Sequence, residues 1–195
     1  MNYKHKNPSH SFSIRAKGIA SMLVMDIAVT PYGNPALLYK TKGIWDTGAT
    51  KSVITQQLFD ALHLVPFGMS KVSTASESGI LKQTYLVDVF LKQDVVVQQI
   101  EVTVGTIASE VGIDFLIGMD IITTGDFSIT NFEGNTIMSF RIPSLYQVDF
   151  VEQHNKEKEF IDRHLAAKRN MNSPCICNSG KKFKNCHGKN LIEDK

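Results

Sequence analysis

An apolar stretch, residues 36–45, runs straight into Asp46-Thr47-Gly48-Ala49-Thr50, and the chain carries this Asp-Thr-Gly sequence once. A carboxylate at the end of an apolar strand is costly unless backbone amides and hydroxyls hold it. Glycine after the motif lets backbone amides approach the carboxylate. The threonine hydroxyl can hydrogen-bond across a site and tie two loops together. Ile44 and Trp45 give the loop a buried anchor.

The surrounding pattern is that of strands. Phe12 and Ile14 alternate with polar neighbours, and 19–30 and 36–45 read as two strands separated by the turn-rich segment 30–35. Apolar residues at 53, 58, 59 and 62 predict a helix over 55–62. Tyr85, Val87, Val89 and Leu91 alternate, as do Ile100, Val102 and Val104, with a turn at Gln93-Asp94. Phe115-Leu116-Ile117-Gly118 is a short apolar run, followed by one helical turn over 119–123. Residues 126–130 and 136–142 form a hairpin across Glu133-Gly134-Asn135. Residues 11–145 are therefore mainly β, as in a small closed barrel. Asp120 is expected to cap or buttress the short helix, and Asp114 to make a local polar contact.

Peptide hydrolysis without a metal or a covalent nucleophile needs an activated water. Two carboxylates sharing one proton can supply it: one takes a proton from the water, and the other hydrogen-bonds the substrate carbonyl. Asp46-Thr47-Gly48-Ala49-Thr50 resembles the active-site loop of retropepsin-like aspartic proteases. Phe115-Leu116-Ile117-Gly118-Met119-Asp120 resembles the segment that packs beneath that loop, and Gly125-Asp126-Phe127 continues the pattern of bacterial members. The resemblance covers about residues 12–145. It implies a mainly β, retropepsin-like acid protease barrel with one lobe per chain. A single Asp-Thr-Gly then implies a homodimer, with one Asp46 from each subunit beside the twofold axis. Asp46 would be catalytic, with Thr47 and Gly48 supporting its loop, and no cofactor would serve the catalysis. A flap would lie over 73–80 with Thr74, Ala75 and Ser76 near its tip; the residues alone fit an ordinary surface hairpin as well. The expected activity is aspartic endopeptidase cleavage of a peptide or protein substrate. The alternative is a catalytically inactive, dimeric peptide-binding or adaptor protein with the same fold.

The charge balance changes near residue 150. Up to there the chain has 11 basic and 13 acidic side chains, and beyond it 10 and 6, so the two parts have different jobs. All three cysteines lie in the second part, which rules out a disulfide framework for the first. Cys175, Cys177, Cys186 and His187 offer three thiolates and an imidazole, a donor set for a tetrahedral structural Zn2+. Gly180 permits the turn between ligand pairs, Phe183 supplies an apolar plug, and Lys181, Lys182 and Lys184 offset the thiolate charge. Residues 173–189 resemble the SEC-C motif, a zinc knuckle appended to bacterial proteins. That resemblance implies docking of a protein partner such as a chaperone or the ribosome. The lysines form a basic patch, but a single phenylalanine is a poor stacking platform, which argues against nucleic acid.

These readings divide the chain into a flexible tail at 1–10, a protease domain at 11–148, a helical linker at 149–171 and the knuckle at 172–190. The polar start and the absence of a long apolar run point to a cytoplasmic protein with no membrane segment.

Overall fold

The computed structural model describes residues 9–73, 79–92, 94–107, 112–166, 170–175 and 177–189, with side chains of 164–166 excepted. The chain divides into two compact units, Met1–Tyr146 and Gln147–Lys195.

The first unit begins with β1 (His10–Arg15), β2 (Val24–Pro31), β3 (Tyr39–Trp45) and the two-residue β4 (Val53–Ile54). Helix α1 (Gln56–Leu62) follows, capped by the Thr55 hydroxyl, which accepts from the Leu58 amide. Its Leu58 and Leu62 face the core, as their spacing requires. Then come β5 (Gly68–Val72), β6 (Ile80–Phe90), β7 (Val96–Val104), β8 (Ile113–Ile117), the single-turn α2 (Met119–Ile122), β9 (Asp126–Thr130) and β10 (Ile137–Ile142).

Seven strands pair in the order β2-β3-β8-β4-β7-β6-β5, and β2 also pairs with β6. That extra pairing closes six of them into a barrel and leaves β5 as an extension alongside β6. Closure removes the free edges that an open sheet would present. The long β6 serves both ends: its first half pairs with β5 and its second half with β2. A smaller antiparallel sheet, β1-β10-β9, packs against the barrel. Phe12 and Phe140 from this sheet meet Trp45 at ring-centroid distances of 6.3 and 5.2 Å, and Phe127 stacks on Trp45 at 5.3 Å. The anchor expected of Trp45 is therefore an aromatic cluster, with its indole N–H directed at the Met25 sulfur.

The expected strand over 19–30 is shorter than its apolar content suggests. Ile19 is 66% exposed, and the ladder starts only at Val24, where pairing with Ile44 begins. Before that, the Ala20 amide donates to the Thr136 hydroxyl, so this segment is held by a side chain and not by a sheet. The 126–130 and 137–142 hairpin forms as expected.

The second unit opens with α3 (Phe150–Ala166). The Asp149 carboxylate accepts the amides of Val151 and Glu152 at its start. A short 3-10 turn over Phe183–Asn185 follows in the cysteine segment. None of the described helices is long and apolar enough to cross a membrane.

Candidate active site and metal centre

Strand β3 runs parallel to β8, and the two end together, with Trp45 opposite Ile117. Asp46 is the next residue. Its amide donates to the Ile117 carbonyl at 3.0 Å, and the Met119 amide returns to the Ala49 carbonyl at 2.8 Å. The loop is thus clamped between the ends of two strands distant in sequence. Within it, the Gly48 amide donates to Asp46 Oδ1 at 2.8 Å. This is the close amide approach expected of that glycine. Thr47 is exposed, and among the described residues its hydroxyl has no hydrogen-bond partner within the chain.

Beneath the loop lies a network that sequence reasoning missed. Ser52 is fully buried. Its amide and hydroxyl donate to the two Asp120 carboxylate oxygens at 2.9 and 2.7 Å, and its oxygen accepts the Gly118 amide at 3.1 Å. A Cβ on Gly118 would sit 2.6 Å from the Lys51 carbonyl carbon, so only glycine allows the two segments to touch. The Gly118 amide, which no strand ladder pairs, finds its acceptor in Ser52, as a buried amide must. Asp120 matches its expected buttressing role. Asp114 does not make a local contact: it accepts from Thr41 and Thr55, both at 2.8 Å and both remote in sequence. It therefore ties β3 to the start of α1.

Asp46 opens onto a cleft of about 720 Å³, walled by its own loop and by β5, β6 and β7. The cleft is large enough for several residues of an extended peptide. The expected flap residues Thr74, Ala75 and Ser76 lie outside the described residues. The strands on either side of them, β5 and β6, pair antiparallel up to Val72 and Ile80.

In the second unit, Cys175, Cys177, Cys186 and His187 converge, with all their donor atoms within 4.8 Å of one another. Cys175 Sγ and Cys186 Sγ lie 3.4 and 3.3 Å from His187 Nδ1, and the Cys177 and Cys186 sulfurs are 3.6 Å apart. A tetrahedral site with ordinary metal–sulfur and metal–nitrogen bonds has donors about 3.5–3.8 Å apart, so these residues fit a bound metal. The Ser179 hydroxyl holds the Cys177 thiol down, to about 6, whereas burial pushes the Cys175 thiol up. Phe183 is fully buried, and a Cβ on Gly188 would meet its ring at 2.6 Å. The expected plug is real, and it requires the glycine that follows His187. Gly180 adopts a left-handed φ of +73°, as the turn between ligand pairs demands.

Residues 39–124 match the family described as "gag-polyprotein putative aspartyl protease", and residues 171–189 match the SEC-C motif. The chain has a retropepsin-like fold followed by a SEC-C motif. Similar solved structures include a retropepsin-like aspartic protease from Rickettsia conorii, at 14% identity and a TM-score of 0.42, covering 71% of this chain and 98% of that one. A foamy viral protease-reverse transcriptase aligns at 19% identity and 0.36, covering 71% and 15%. The retroviral protease-like domain of Ddi1 from Leishmania major aligns at 13% and 0.35, covering 56% and 82%. No curated protein matches the sequence. The retropepsin-like domain supports a protease-like function. The SEC-C motif and its Cys/His cluster support metal binding.

Proposed function

We propose that the chain is an aspartic endopeptidase that works as a homodimer, with Asp46 from each subunit forming the catalytic pair. The observation that carries this reading is Asp46 itself: a carboxylate at the joined ends of β3 and β8, with one oxygen taken by the Gly48 amide, at the mouth of a peptide-sized cleft. With Oδ1 engaged, the second oxygen is directed to the reacting water. One carboxylate of the pair accepts the water proton while its protonated partner donates to the scissile carbonyl. The water oxygen bonds to the carbonyl carbon, and the resulting diol collapses with cleavage of the C–N bond: the first carboxyl gives the proton it took from water to the leaving nitrogen, and the second carboxylate takes back a hydroxyl proton as the new carboxyl group forms. The single Asp-Thr-Gly supports the dimer, because one chain holds only half of the pair. The exposed Thr47 hydroxyl, without a hydrogen-bond partner among the described residues, suits a brace to the partner's loop.

In the SEC-C motif, Cys175, Cys177, Cys186 and His187 would hold Zn2+ with all four positions filled by protein, so the metal would organise the fold and leave the chemistry to the barrel. The motif would then recruit a protein partner or the substrate.

The test is cleavage of a diverse peptide library between about pH 4 and 7.5, comparing wild type with Asp46→Asn. Turnover is expected for wild type, with a loss of at least about a hundredfold in the variant while dimerisation is retained. Two dimeric proteins that bind peptides and cut none would instead establish the adaptor reading.

A further inference from the structure

The walls of the Asp46 cleft are more polar than a barrel interior, and strand register explains which side chains reach it. Ser70 pairs with Lys82, Gly68 with Thr84, and Thr84 with Thr103. Alternation places these residues, together with Glu101, on one face, and Ser70, Lys82, Thr84, Glu101 and Thr103 of that face line the cleft.

Their charges do not balance. Glu101 is paired with Lys51 at 3.6 Å. Lys82 is half-buried, and among the described residues its ammonium donates only to the Val104 carbonyl, at a long 3.4 Å. Among the described residues no carboxylate pairs with it. Next to it on the same strand, Thr84 is 1% exposed, and its hydroxyl has no partner among the described residues. Thr84 lines the cleft, and a buried hydroxyl without a partner is costly until a polar group reaches it. Gly68, opposite Thr84 on β5, leaves that hydroxyl uncrowded: a Cβ there would stand 3.2 Å from the Thr84 hydroxyl oxygen and 4.0 Å from Glu101 Oε1.

A carboxylate fits this pair of donors. It has two acceptor oxygens, one for the Lys82 ammonium and one for the Thr84 hydroxyl, and it supplies the missing countercharge. A neutral amide offers one acceptor and no charge. A basic side chain meets Lys82 head-on. We infer that the cleft contains a subsite for an acidic side chain of the bound peptide, built from Lys82 and Thr84, with Gly68 leaving the Thr84 hydroxyl uncrowded. The inference rests on the reading of this cleft as a peptide-binding site, and it specifies which peptides that site selects.

The test uses a set of fluorescent peptides in which Glu, Gln or Lys is walked through an otherwise Ala/Phe/Leu sequence. Binding is measured with the full-length Asp46→Asn protein and cleavage with wild type. At one position Glu is expected to bind about tenfold more tightly than Gln, and Lys more weakly than either. Lys82→Met brings the Glu-to-Gln ratio near one, and Lys82→Glu moves the preference to Lys, with melting temperatures checked for each variant. Thr84→Val lowers the ratio without reversing it. Glu preference in binding with no cleavage by wild type upholds the subsite and sinks the peptidase reading. Binding without charge preference, or a preference unmoved by the Lys82 variants, overturns the subsite alone. Failure of every peptide to bind overturns both.

Discussion

The two units of this chain reach a fixed structure by different means. The barrel is held by strand pairing between distant segments around a continuous core that includes Phe115, Ile117, Leu58 and Val102, all buried completely. Among its described residues the cysteine segment has one fully buried large side chain, Phe183, and four convergent side chains that could hold a metal. A module of that size buries little apolar surface to offset its chain entropy, and a bound metal would supply the difference. The lesson is that stability in the barrel is distributed, whereas in the SEC-C motif it is concentrated at one point.

The comparison is most exposed to metal removal. Chelation, or Cys175→Ser, is expected to abolish the structure of 171–189, because structural zinc binding amounts to on the order of 10 kcal/mol. Amide chemical shifts of the segment should collapse while the barrel's melting temperature stays put. A barrel that melts with the metal would show that the two units share one cooperative transition. The converse change is Phe115→Ala. It should cost the barrel about 3–5 kcal/mol, read from urea unfolding, and leave zinc affinity unchanged.

A smaller effect tests how evenly barrel stability is spread. Burial alone would raise the Asp126 carboxyl. Hydrogen bonds from the Leu145 amide, the Ser144 hydroxyl, Arg141 and the Tyr146 amide outweigh it and hold the group well below the usual carboxylate range. A depressed folded value contributes stability above the unfolded value, near pH 4, and loses it as pH falls toward the folded one. Asp126→Asn should therefore cost about 1–2 kcal/mol at neutral pH and flatten the acid limb of the stability curve below about pH 4. An unchanged acid limb would assign the acid sensitivity to other carboxylates.

What the sequence made legible follows from the same contrast. Period-two patterns mark half-buried strands, and Tyr85, Val87, Val89 and Leu91 are all buried as their alternation requires. The convergence of Cys175, Cys177, Cys186 and His187 was legible because their spacing is local. The two-residue β4 was not, since it is too short to carry a period. Residues 19–23 looked like strand because they are apolar, but a strand needs a partner, and pairing begins only at Val24. The Ser52–Asp120–Gly118 network was invisible for a related reason. Its members lie far apart in sequence, and nothing in the local pattern of any one of them points to the others. The fold of the Asp46 loop could be read from its own residues; what holds it in place could not.

The clamp on that loop also has a consequence in time. The Asp46 amide and the Ala49 carbonyl are satisfied by Ile117 and Met119, and Ser52 by Asp120. On a growing chain, residue 46 leaves the ribosome long before β8 and α2 have been made. The Asp46 carboxylate therefore has no fixed geometry during that interval, and the loop is set only when the chain's own later segments arrive.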